Sequence, residues 1–250
     1  MKKLLNRFLP SIIKRILIKQ KYKKYNLSVH KSNIQEDKLV KIECDNRERD
    51  DFLQTILKKT FGEVLSVEEY SLYFHPIAII EKPKNIEEYL KLIGAKSRNM
   101  NKKAKKNGIY CELFDWNDRL EEIYQINISA PYRQGKEMDS SYHEYPKKIA
   151  YLDEKDFKIT YIGAFKENLL IGYIELYIYG NFIMTNRILG HKEHLKYGIM
   201  NLMIKKSVEL IIEEDITYLN YLTMQNRENN SLSSFKKRVG FREYSLLELT

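Results

Sequence analysis

Cysteine, proline and glycine are all scarce in this sequence, and each scarcity excludes something. Only Cys44 and Cys111 are present, far apart and without metal-ligand spacing. This argues against a disulfide framework, and a reducing, cytosolic compartment is expected. Five prolines and ten glycines in 250 residues are too few for a low-complexity linker, and no internal repeat is visible. Apolar runs are short as well. None reaches the roughly 18 residues that would span a bilayer.

What is present describes a globular chain, 43% hydrophobic and 31% charged, long enough to bury a substantial core. The formal net charge is +9. Residues 1–25 carry Lys2, Lys3, Arg7, Lys14, Arg15, Lys19, Lys21, Lys23 and Lys24 with no acid, so the remainder is formally neutral. Basicity confined to one end argues against a nucleic-acid-binding core. Lys14, Arg15 and Lys19 interrupt the apolar stretch, and no small-residue cleavage site follows, which argues against a signal peptide. Leu4, Leu5, Phe8, Ile12, Ile13, Ile16 and Leu17 recur at helical spacing, with Pro10 as a kink. Residues 1–30 thus read as a basic amphipathic segment suited to an anionic membrane surface, or to packing on the domain that follows. Residues 31–250 read as a single domain.

Along that domain, Val40–Cys44 reads as a strand, Arg47–Thr60 as a helix and Ser71–Glu81 as a strand. Ile86–Asn107 reads as one helix stopped at Gly108, Ile109–Phe114 as a strand, and Trp116–Ile128 as a helix. ITYIGAF and LLIGYIELYIYG alternate around the turn Lys166-Glu167-Asn168 and predict a hairpin, with Phe182–Leu189 as a third strand. A loop from Gly190 to Gly198 leads into a helix with Met200, Met203, Ile204, Val208 and Ile211 on one face. A strand at Ile216–Met224, a Ser-initiated helix at 231–239 stopped by Gly240, and a last strand at 242–249 complete the pattern. The fold class is α+β, with a mixed, mostly antiparallel sheet flanked by helices.

This order over residues 157–250 resembles the GNAT acyltransferase superfamily. The pyrophosphate motif of that superfamily, (Q/R)-x-x-G-x-(G/A), is matched by HLKYGIMNL at Gly198, with Leu195 and Met200 departing from it. The resemblance implies that Lys196, Tyr197, Gly198 and Ile199 cradle an acyl-CoA (acetyl-CoA) co-substrate at a helix N-terminus. Phe235-Lys236-x-x-x-Gly240-Phe241 resembles the F-K-x-x-x-G element of the peptidoglycan-bridge (Fem-type) transferases, which draw on aminoacyl-tRNA. There the pair sits at the active site, so Lys236 is expected to bind phosphate or steady an oxyanion, with Phe235 beside the donor. SRNMNKKAKKNG (Ser97–Gly108) is similar to a helix common in Fem-like members, and Arg98, Lys102, Lys105 and Lys106 fall on one cationic stripe suited to a polyanion. A typical Fem-type protein has two such domains, whereas this chain has room for one.

Transfer to an amine needs a base and donors for the oxyanion. Glu175 is the only charge between Leu169 and Tyr179, and alternation places it on one face with Ile171, Tyr173, Tyr177 and Tyr179. Glu175 or His191 is the candidate base. His191 and His194, three apart and without companion ligands, do not make a metal site. Asn226 offers an amide to the acyl group, and His75 reads as structural. Arg133, Gln134, Lys136 and Tyr142, in a polar loop with His143, are the candidate acceptor contacts. The expectation is a cytoplasmic N-acyltransferase, peripheral on the inner membrane face. It uses acyl-CoA, needs no metal, and acts on a small amine-bearing acceptor that is a cell-envelope or polysaccharide precursor. Aminoacyl-tRNA as donor, and a degenerate binding module without catalysis, are the alternatives.

Overall fold

The computed structural model describes residues 39–40, 77–133, 135–149, 153–154, 157–224 and 230–246. The expected helices in 1–25 and 47–60, together with His75, Gln134 and Asn226, lie outside the described residues.

Strands β1 (Leu39–Val40) and β2 (Ile77–Glu81) come first, followed by helices α1 (Ile86–Leu92) and α2 (Ala95–Lys106). Strand β3 (Ile109–Leu113) leads through a short turn into α3 (Leu120–Ile128). The short strands β4 (Tyr132–Arg133), β5 (Lys136–Glu137) and β6 (Asp153–Glu154) precede the long meander β7 (Phe157–Lys166), β8 (Leu169–Tyr179) and β9 (Phe182–Gly190). Helix α4 (Ile199–Glu213), strand β10 (Tyr218–Thr223), helix α5 (Asn230–Arg238) and strand β11 (Arg242–Leu246) follow. The main sheet runs β1-β11-β2-β10-β9-β8-β7-β3, with β6 paired to β7. Its pairs are antiparallel except β1 with β11 and β9 with β10.

Two apolar layers explain why the sheet is sandwiched. On one face Met203, Ile204, Val208 and Ile211 of α4 pack on Ile162, Ile174, Leu176, Ile183 and Leu219. On the other, Trp116, Ile123 and Ile126 pack on Tyr161, Phe165, Tyr173 and Leu189. Helix periodicity of 3.6 and strand periodicity of 2 thus meet as expected. Met200, by contrast, is only half-buried.

Three expectations are corrected. The single helix at Ile86–Asn107 is two helices. Ile93 is extended (φ −85, ψ 148) and buried, and the Gly94 amide donates to Arg238 of α5 rather than continuing the helix. The helix expected from Trp116 begins at Leu120, after a short 3-10 turn capped by Asp115. Ile171 does not share a face with Tyr173 and Glu175. Gly172 pairs with Ala164 but Leu170 pairs with Phe165, so Ile171 is an extra residue and turns into the α4-side core.

Candidate active site

The sheet parts between β9 and β10. Their parallel pairing covers Phe182, Ile183 and Met184 against Tyr218, Leu219 and Asn220, and no described residue beyond continues it. Both strands are irregular at this level. In β9, Arg187 pairs with Glu175 and Thr185 with Leu176, leaving Asn186 as a bulge. In β10 the register slips between Asn220 and Thr223, and Leu222 takes φ +52. The fully buried Asn220 holds that turn. Its amide donates to the Ala78 and Leu222 carbonyls at 3.1 Å, its side-chain oxygen accepts from the Leu222 N–H, and its own carbonyl accepts from Thr185 Oγ1.

On the β8–β9 side of the gap lies Glu175, 8% exposed. Its carboxylate accepts from Tyr161 Oη at 3.2 Å and from Asn186 Nδ2 at 2.6 Å, and Arg187 Nε lies 3.5 Å away. Asn186 Nδ2 also donates to Tyr177 Oη, and Tyr173 Oη donates to Asn127 of α3 at 2.7 Å. The Arg187 guanidinium lies over the Tyr142 ring, 5.5 Å from its centroid. Burial pushes the Tyr173 and Tyr177 phenols up, and the neighbouring Glu175 charge pushes the same way. Both phenols remain protonated at neutral pH.

On the β10 side lies Lys236. It is 3% exposed, and its Nζ donates to the Tyr221 carbonyl at 2.8 Å and the Thr223 carbonyl at 2.7 Å, over the Tyr221 ring. Burial lowers its pKa to about 8. The end of α5 aims it. Gly240 (φ +106) donates to the Lys237 carbonyl and Phe241 to that of Lys236, a Schellman closure seated on Tyr221 through Phe241. Phe235 packs at the edge of the same core. The helix begins at Asn230, so its serines lie within the first turns, and Ser233 Oγ donates to the Met224 carbonyl.

The turn from β9 into α4 carries His191, Lys196, Tyr197 and Gly198. The rings of His191 and His194 stand 5.5 Å apart, and both Nδ1 atoms are buried without a partner. Burial and the neighbouring His191 lower the His194 pKa. Gly198 takes φ +87, and a Cβ there would stand 2.7 Å from the Met100 carbonyl oxygen of α2. The glycine therefore admits the backbone of another helix, and the first turn of α4 is covered on that side. Ile199 is fully buried beneath it. Among the described residues no cluster of three metal-ligating groups occurs.

Of the expected acceptor contacts, Tyr142 stands against Arg187, whereas Arg133 is a latch. Its guanidinium donates to the Gly190 carbonyl at 2.9 Å, the Ile126 carbonyl at 3.0 Å and Ser129 Oγ at 3.2 Å, tying β4 to α3 and to the end of β9. Burial lowers its pKa. The Lys136 backbone pairs with Arg133 in the β4–β5 hairpin. Arg98 also leaves the expected cationic stripe to donate to the Leu90 and Ile93 carbonyls, while Lys102, Lys103, Lys105 and Lys106 are exposed. Sequence reasoning missed Asn186, Arg187, Tyr161 and Asn127. A polar pair inside the apolar run Phe182–Leu189 was the available signal for the first two.

No protein-family model matches the sequence, and no curated protein matches it. Among solved structures, FemX superposes with a TM-score of 0.55 at 14% identity, over 79% of this chain and 67% of that one. The C-terminal domain of a putative lysylphosphatidylglycerol synthetase from Agrobacterium fabrum gives 0.49 at 9% identity, over 83% and 76%. A GCN5-related N-acetyltransferase from Kribbella flavida gives 0.41 at 14% identity, over 82% and 75%. At these identities the likeness concerns architecture. With its hairpin, its parted parallel strands and the helix between them, this chain has the GNAT-like fold that FemX also has.

Proposed function

We propose that this chain is a transferase that moves an acyl group onto an amine of a cell-envelope or polysaccharide precursor. The observation that carries the reading is the gap between β9 and β10. On one side a buried carboxylate, Glu175 of β8, is bonded to the bulged Asn186 of β9, and on the other a buried lysine fixes the carbonyls of β10. Glu175 takes the proton of the attacking amine, held in place by Tyr161 and Asn186. Lys236 acts as a positioning residue in this reading, because two of its donors are already engaged by Tyr221 and Thr223.

The donor in the leading form is acyl-CoA, held at the His191–Ile199 turn. A second form, with aminoacyl-tRNA as donor, is favoured by two observations. Met100 covers Gly198 where a pyrophosphate would approach, and five lysines stand exposed on α2. Calorimetric titration of the full chain with acetyl-CoA, and separately with aminoacyl-tRNA at low salt, tests both. Saturable acetyl-CoA binding supports the first form, and salt-sensitive binding of charged tRNA alone supports the second. Binding of neither donor sinks the transferase reading.

A further inference from the structure

The Glu175 site contains a second charge that base catalysis does not use. Arg187 is fixed through Nε, 3.5 Å from Glu175 Oε2, and through the Tyr142 ring. Its side chain is 40% exposed, against 11% for Glu175. Among the described residues nothing accepts a hydrogen bond from its two terminal nitrogens. A planar guanidinium with a free outer edge is matched in shape to a carboxylate. Beside it, Glu175 presents an acceptor suited to an ammonium. The charges close by also limit the ligand. The Arg187 guanidinium is already paired with the Glu175 carboxylate. A dianionic phosphate is disfavoured there, whereas a ligand carrying one positive and one negative charge is not.

Building on the transferase reading, we infer that the acceptor is zwitterionic, an α-amino acid or the equivalent end of a larger molecule. Its amine meets Glu175 and its carboxylate meets Arg187. The ammonium first gives a proton to Glu175. The amine nitrogen then bonds to the acyl carbon of a thioester or ester donor. As the bond from that carbon to sulfur or oxygen breaks, the second proton of the nitrogen passes to the leaving group, and Glu175 releases the first to solvent. The product is an N-acyl amino acid with its carboxylate intact. Arg187 is then a specificity residue that selects acceptors by the group next to the amine.

The test is saturation-transfer NMR on the full chain with L-alanine, L-alaninamide and propionate, run on wild type, Arg187→Gln and Arg187→Lys. L-Alanine is expected to bind at least about tenfold more tightly than either single-charge analogue, as one charged hydrogen-bonding pair allows. Arg187→Gln is expected to erase the preference over alaninamide, and Arg187→Lys to keep part of it. Equal binding of alanine and alaninamide, an unchanged preference in Arg187→Gln, or no binding of alanine overturns the inference. Acyl transfer to a panel of amines separates the two claims. Equal rates with alanine and alaninamide remove the zwitterion rule and leave the transferase. A retained alanine preference without transfer to any amine leaves the site and removes the reaction.

Discussion

Two side chains set opposite demands on the gap. Glu175 is buried yet bonded on both oxygens, so its neutral isostere keeps the shape and one donor contact. Glu175→Gln is expected to lower transfer about 10²–10³-fold while shifting thermal unfolding little, checked by kcat/KM beside calorimetry. Lys236 is the reverse case, where structure dominates. Lys236→Met leaves the Tyr221 and Thr223 carbonyls without their donor and is expected to cost about 2–3 kcal/mol in denaturant unfolding. The pH dependence has a definite sign. Burial lowers the folded pKa to about 8 from 10.5, so between those values the unfolded chain binds the extra proton. Stability from this residue therefore rises with pH from about 8 to 10.5, and Lys236→Met should flatten that rise. Much at this scale was legible. A lone acid in an apolar strand marked Glu175, and the Gly240 stop marked the end of α5. Its partners Asn186 and Arg187 were not, because a bulge changes which residues face which side and alternation counts straight through it.

Among elements, α2 approaches the start of α4 closely. Gly198 sits in a left-handed conformation with the Met100 carbonyl in the space of a side chain. Gly198→Ala is expected to destabilise by about 2–3 kcal/mol, from backbone strain plus displacement of α2, as read by urea unfolding. The meander, α4 and α5 follow from periodicity alone, since each buries one face on the sheet. The break at Ile93-Gly94 escapes such counting. Gly94 is its one local signal, and the rest of what ends α1 is tertiary: Ile93 inserts into the core, and the carbonyls of Leu90 and Ile93 are met by Arg98. The β4–β5 hairpin escapes for a similar reason. It is two residues a side, held by the Arg133 latch. Arg133→Ala removes donors to three oxygens, and faster amide exchange at the hairpin and at Lys192 is the expected result, measured by hydrogen exchange.

For the whole molecule, charge is the first consideration. No helix among the described residues is long and apolar enough to cross a membrane. The nine cations in residues 1–25 are instead expected to carry salt-sensitive binding to vesicles containing anionic lipid. Deleting 1–25 should abolish that binding and spare binding of the acyl donor. Co-sedimentation at low and high salt, with neutral vesicles as control, checks it. A second consequence concerns time. β2 lies between β10 and β11, so a strand at residues 77–81 takes both its neighbours from residues 218–246. On the ribosome it emerges well before either exists. During synthesis the apolar Ile77-Ala78-Ile79-Ile80 must wait, without these neighbours to join, until residues 218–246 arrive. The meander can assemble early, but the half of the sheet that completes the gap forms last. Nascent chains halted near residue 210 should leave β2 open to protease, and chains halted beyond the emergence of β11 should not.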